Sequence, residues 1–540
     1  MVDLIIYNAV IRTQDLDKPI ASAAAVKGDK FVAIGSNEEV LGLTGRETNK
    51  IDLGGRLVLP GFTDSHFHFY DWALGRKWID FSACSSLADF IATLRKVVEK
   101  DDTQSFFPGG WVLGQKWNES EWPEGRTPTR TDLDSVSKSK PIIAWRSDLH
   151  LAVVNSKALE LAGIGDNTRD PDFGRLGRDP SGSLNGILQD RAIDLVKGKI
   201  PVPGEGDVAA AMHEGIPVLH AMGITGLHDF RLMDGKDGAP SFKALQILDK
   251  EGTLELRVWM CLSWKVLEEA VRIGLKTGMG SENLRIGHIK IFADGSVGAR
   301  TAWVSEPYID GGSGFPLIDM EELAGFVKSA QSSGLSVAVH AIGDRANHEL
   351  INMFHTLKQE GLLHPAQLTA PHRIEHLQLL RTEDIQLLSK LDIMGSVHPA
   401  QLVDDIILSE KCLGPRANMA FRFRDLLDHG IDLAFGSDCP VADPNPLVGI
   451  HAAVTRQHLD GSPEGGWYPE QRISVQEAVK AYTSAPAHIT GRGHALGSIS
   501  AGKLADFVVL EKDIFNIPPE TIPDVNIDMT FIGGRIVYQR

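Results

Sequence analysis

The chain has 540 residues, 43% hydrophobic and 23% charged, a balance that supports a large folded core and excludes a chain dominated by disorder. Its net charge of −17 repels phosphate backbones and anionic lipid, so a small molecule is the expected partner rather than nucleic acid or a membrane. Four scattered cysteines, Cys84, Cys261, Cys412 and Cys439, form no Cys-x-x-Cys pair, and no run reaches the roughly 18 apolar residues of a membrane span.

Neither a disulfide framework nor a zinc finger is expected. The first residues carry no basic stretch followed by a long apolar one, so a cytoplasmic location is expected. Residues 1–57 read as short strands, Leu4 to Ile11 and Ala23 to Gly35, the latter interrupted by a Gly28-Asp29 turn. Residues 495–540 echo them, with Ala505 to Leu510 and with Met529 to Tyr538 folded about Gly533-Gly534. Two strand-rich ends around a long α/β middle predict one small β-sandwich built from both termini.

The next stretch, Val58-Leu59-Pro60-Gly61-Phe62-Thr63-Asp64-Ser65-His66-Phe67-His68, ends an apolar run on two histidines. In an extended segment, side chains at i and i+2 point the same way, so His66 and His68 present two imidazoles side by side. That spacing suits a metal, and it suits equally two polar residues at a strand end.

Residues 75–205 show no regular alternation of strand and helix and read as an insertion or lid subdomain. Trp111, Trp117 and Trp122 fit either a lid or packing inside the insertion. His150 and Asn155 are candidate substrate contacts there.

Beyond residue 206 the pattern becomes regular. Apolar runs recur at 224–229, 256–262, 286–294, 335–340, 372–376, 393–398 and 431–438, separated by stretches with apolar residues three and four apart. With the run before His66 they make eight βα units, which predicts a (β/α)8 barrel of residues 58–74 and 206–494. Such barrels gather chemistry at the C-terminal ends of their strands. His66 and His68 end the first run, Lys290 lies in the fourth, His340 and His376 end the fifth and sixth, and Asp438 ends the eighth. His228 and His398 reach the same mouth and are candidate substrate contacts. Asp344 and Arg345 read as an ion pair organising the loop after His340.

Five motifs carry a family resemblance: Pro60 through His68, Ile289 through Ser296, Val339 through Ala346, Arg373-Ile374-Glu375-His376, and Gly436-Ser437-Asp438-Cys439-Pro440. They resemble the amidohydrolase superfamily, and within it the amidohydrolase 3 (YtcJ-like) branch that includes N-substituted formamide deformylase-like proteins. The resemblance covers essentially the whole chain. It implies one or two divalent metals per chain, Zn2+ foremost, held by His66, His68, His340, His376 and Asp438, with a carboxylated Lys290 as bridge. It implies hydrolysis of a non-peptide C–N bond, in an amide, formamide or cyclic amide, by metal-activated hydroxide, with Asp438 shuttling the proton. A one-metal deaminase and a non-catalytic scaffold on the same fold are the alternatives. Substrate identity and oligomeric state stay open, a homo-oligomer being compatible with the sequence.

Overall fold

The computed structural model describes residues 2–99, 108–119, 122–146, 151–171, 174–230 and 238–540, and His150 lies outside them. The chain forms two compact units, Met1–Phe69 with His213–Arg540, and Tyr70–Met212. No helix among the described residues is long and apolar enough to cross a membrane.

The first unit is built on eight parallel strands: β1 (Phe62–Phe67), β2 (Ile224–Asp229), β3 (Arg257–Ser263), β4 (Leu284–Phe292), β5 (Val337–Ala341), β6 (His372–His376), β7 (Ile393–Val397) and β8 (Leu433–Phe435). Each pairs with the next in chain order. β5, β6 and β7 are buried along their whole length, as expected of parallel strands covered on both faces. Helices cover the outside. Met320–Ser332, for example, starts where the Asp319 carboxylate accepts from the Glu321 and Glu322 amides, and it buries Leu323, Val327 and Ala330 at four- and three-residue spacing.

The ring meets just past β8. There the Asp438 amide donates to the His66 carbonyl at 2.8 Å and the His68 amide to the Cys439 carbonyl at 2.9 Å. Gly436 makes this approach possible, because a Cβ there would lie 2.5 Å from the His66 nitrogen and 2.6 Å from its Cβ.

Two further sheets lie in this unit, the second drawing strands from both termini. One runs Lys30–Gly35, Ala23–Lys27, Leu4–Tyr7, Asn49–Asp52, and the other Arg535–Gln539, Ile527–Ile532, Phe507–Leu510, Leu57–Pro60, Val10–Arg12, Ile20–Ala21. They share an apolar cluster that includes Ile6, Val26 and Phe31 from the first and Val58, Phe507 and Phe531 from the second. Leu57–Pro60 leads through Gly61 straight into β1, and the partly buried Arg257 of β3 pairs with Asp506 at 2.8 Å.

The second unit contains a mixed sheet ordered Gly174–Arg178, Leu184–Asp190, Leu151–Val154, Ile142–Arg146, Val112–Trp117, Ile79–Asp80. Trp111, Trp117 and Trp122 are core residues of this unit rather than an exposed lid surface. Trp117 donates its indole N–H to the Ala144 carbonyl, and Trp122 donates to that of Cys84. Asn155 lies in the same unit. It caps the helix Ser156–Ala162, its Oδ1 accepting from the Ile142 and Ala158 amides while its Nδ2 donates to the Ser137 and Lys140 carbonyls. No polar atom of that side chain is left for a substrate.

Candidate metal centre

Strand ends β1, β6 and β7 and the turn after β8 bring four histidines and one carboxylate together. His66, His68 and Asp438 offer ligand atoms that all lie within 4.8 Å of one another, and His66, His376 and His398 do the same. His68 Nε2 is 2.9 Å from Asp438 Oδ1, and His66 Nε2 is 3.5 Å from it. Asp438 (φ 58°), His376 (φ 70°) and Leu377 (φ 45°) stand in the left-handed region, where a non-glycine residue costs about 1–3 kcal/mol. The fold maintains this strain at the positions that aim the side chains inward.

The second nitrogen of each ring is anchored differently. His66 Nδ1 meets Glu375 Oε2 at 2.7 Å, His68 Nδ1 meets the Phe230 carbonyl at 3.0 Å, and His398 Nδ1 meets the Gly436 carbonyl at 3.2 Å. His376 Nδ1 and His398 Nε2 are buried and have no hydrogen-bond partner. A buried nitrogen without a partner costs about 1–3 kcal/mol, and a bound cation would remove that cost. Burial also holds His66, His376 and His398 below the ordinary histidine range, which leaves them neutral with a free lone pair. Burial works to raise the Asp438 carboxyl, but His66, His68 and His398 around it keep it below its ordinary range, as an anion. Three neutral imidazoles and a carboxylate are a donor set suited to Zn2+ and its divalent neighbours.

The remaining predicted residues sit beside this group. Lys290 is buried, its Nζ 4.7 Å from the ring centroids of both Phe230 and Phe292, and burial pulls its pKa down to about 8. His340 lies with its ring 4.4 Å from that of His376, and its Nε2 faces the Gly295 carbonyl at 3.1 Å. His228 is part of the barrel interior, where its Nδ1 accepts from Arg373 at 2.9 Å. Arg345 does not pair with Asp344. It is exposed and lies over Trp303, whereas Asp344 accepts from Ser305 in the loop after β4 and from Arg381 in the loop after β6.

Several buried polar residues were not singled out from the sequence. Arg373, fully buried, donates to Glu375, to the Ser65 carbonyl and to Ser396 Oγ, linking β1, β6 and β7. Arg373 and His66 hold Glu375 ionised well below its ordinary range, against the opposing effect of burial. Asp64 accepts from Ser437 Oγ at 2.6 Å and so ties β1 to the turn carrying Asp438. Asp294 accepts from the Trp303, Ile342 and Gly343 amides and gathers the loops after β4 and β5. The available signal was a charged Arg-x-Glu pair inside a strand otherwise expected to be apolar.

Known proteins share this architecture. The sequence profile of the amidohydrolase family matches residues 50–538. The protein LONG AFTER FAR-RED 3 of Arabidopsis thaliana is 33% identical over 99% of this chain and 91% of its own length. N-substituted formamide deformylase of Arthrobacter pascens is 26% identical over 100% of this chain and 99% of its own. The crystal structure of an uncharacterized metal-dependent hydrolase from Pyrococcus horikoshii superposes with a TM-score of 0.78 at 26% identity, covering 96% of this chain and 99% of that one. Histidines and an aspartate converging at the strand ends of such a barrel, within a match spanning nearly the whole sequence, place this chain in the amidohydrolase family.

Proposed function

We propose that the chain is a metal-dependent hydrolase that cleaves a non-peptide C–N bond, in an amide, a formamide or a cyclic amide. The observation that carries this reading is the convergence of His66, His68 and Asp438 beside two buried, unpartnered imidazole nitrogens. The metal-dependent hydrolase from Pyrococcus horikoshii and the formamide deformylase from Arthrobacter pascens support it.

Glu375 accepts the Nδ1 proton of His66, and the Phe230 carbonyl accepts that of His68, so the Nε2 atoms of both rings face Asp438, at 3.5 and 2.9 Å. When bound, a divalent ion, Zn2+ foremost, supplies a water nucleophile usable at neutral pH and polarises the carbonyl under attack. Asp438, kept as an anion, accepts a proton at Oδ1 and returns it to the departing nitrogen. The amine leaves only when protonated, which is why a carboxylate at this position suits a C–N substrate. Phe230, stacked on His66 at 4.0 Å between ring centroids, gives that ring an apolar wall.

A deaminase working with one ion is the second reading, favoured by Lys290, whose Nζ lies 4.7 Å from the ring centroids of both Phe230 and Phe292. Purified chain, with His68→Ala and Lys290→Ala variants, is assayed against N-formyl and N-acyl amines and against amino-substituted heterocycles. Amide cleavage abolished by His68→Ala supports the proposal. Ammonia release from heterocycles alone moves the assignment to the deaminase, and inactivity of metal-loaded chain toward both classes contradicts both.

A further inference from the structure

The buried histidines of the barrel fall into two kinds according to what their nitrogens do. His288 uses both: Nδ1 accepts from the Trp259 indole at 3.0 Å, and Nε2 faces the Pro371 carbonyl at 3.0 Å. His372 also uses both, with Nδ1 accepting from the Val337 amide and Nε2 against Gln331 Oε1. These are structural residues. His398 differs. Its Nδ1 lies 3.2 Å from the Gly436 carbonyl, where it can only donate, so Nε2 keeps its lone pair and has no partner. A ring whose Nδ1–H is tied to a carbonyl or carboxylate and whose Nε2 is bare is in the form that binds metal ions. His66 and His68 are tied through Nδ1 in the same way, to Glu375 and the Phe230 carbonyl, with His68 Nε2 2.9 Å from Asp438 Oδ1.

The rings of His66 and His376 stand 4.9 and 4.5 Å from that of His398, centroid to centroid, and the three form one of the two donor groups. His66 belongs to both groups. With Nδ1 on Glu375, only its Nε2 remains, and one lone pair binds one ion. An ion on that lone pair would therefore lie beside both groups.

We propose that His398 is a ligand of one divalent cation per chain, in a centre that also uses His66, His68 and Asp438, and that it supplies the nitrogen His340 directs elsewhere. This rests on the metal-dependent reading above. It adds a ligand from β7, where the sequence suggested only a substrate contact.

The test uses the full chain and its His398→Gln, His398→Cys and His68→Gln variants. Zinc affinity is measured by competition with a chromophoric chelator, the visible spectrum is recorded after cobalt loading, and melting is followed with and without metal. The parent is expected to bind one equivalent. His398→Gln should bind zinc roughly 10- to 100-fold more weakly, alter the cobalt bands and lose most of the metal-induced rise in Tm, while its metal-free form melts no lower than the parent. His398→Cys, whose sulfur stops well short of the Nε2 position, should stay weakened as His398→Gln does. The proposal is overturned if His398→Gln keeps parental affinity and spectrum while His68→Gln loses metal. Two equivalents in the parent overturn it too. A parent that binds no metal defeats the underlying metal reading instead.

Discussion

Glu375 shows how one buried side chain can govern another's chemistry. Its carboxylate meets His66 Nδ1 at 2.7 Å and is itself held by Arg373, so the tautomer of His66 is fixed before any ion arrives. Glu375→Gln should weaken zinc binding roughly 10- to 100-fold, read by chelator competition. Glu375→Ala should also destabilise the fold by about 3–5 kcal/mol in denaturant unfolding, because it strands the Arg373 cation in the core, and adding Arg373→Met should restore much of that loss. If Glu375→Gln binds zinc as tightly as the parent, Glu375 does not orient His66. His66, His68 and Asp438 were readable from the sequence because a His-x-His repeat and a strand-terminal aspartate already state their direction. Asn155 gives no such direction, since a polar residue before a helix looks the same whether it caps that helix or meets a ligand. The role of His398 was hidden for a related reason: which ring nitrogen is free depends on the Gly436 carbonyl, 38 residues away.

The eight barrel strands were readable because parallel strands buried on both faces appear as short unbroken apolar runs, and helical spacing separates them. The mixed sheet of residues 70–212 was not. Its strands are short, some pair in parallel and some antiparallel, and their partners follow from tertiary contacts rather than from local pattern. The two terminal sheets were readable as strands, but their interleaving, with Leu57–Pro60 lying between Val10–Arg12 and Phe507–Leu510, was not. Closure of the barrel depends on Gly436. Gly436→Ala places a methyl group against the His66 backbone, so β8 and the Asp438 turn must shift away from β1. The expected result is a loss of about 1–3 kcal/mol in denaturant unfolding, together with weaker metal binding. A variant with unchanged stability and affinity would show that the β1–β8 seam has slack.

The response of the folded chain to acid is a balance between opposing buried groups. Burial lowers His288 to about 3 and His372 to about 4, while it raises Asp64 and Asp294 to about 7. A histidine lowered in this way lets the unfolded chain take up its proton first, near pH 6.5. Its share of stability is present at neutral pH and is lost as pH falls toward the folded value. The raised carboxyls act in the opposite sense, since the folded state protonates first as pH falls below about 7. Single-residue comparison separates the two. Between pH 7.5 and 5.5 the stability of the parent relative to His372→Gln should fall by roughly 1.4 kcal/mol in metal-free protein, measured by urea unfolding. A difference that stays constant with pH would mean that His372 titrates in the folded chain as it does in the unfolded one.

The central claim is that the strand-end histidines and Asp438 hold a catalytic divalent ion. The most direct test is to strip the chain with chelator, then follow hydrolysis of N-formyl amines during stepwise addition of Zn2+. The account predicts a stripped chain without activity, a rate that climbs and levels off near one equivalent, and no recovery in His68→Gln. A stripped chain that hydrolyses at the full rate, or a His68→Gln variant that zinc restores to it, would contradict the account.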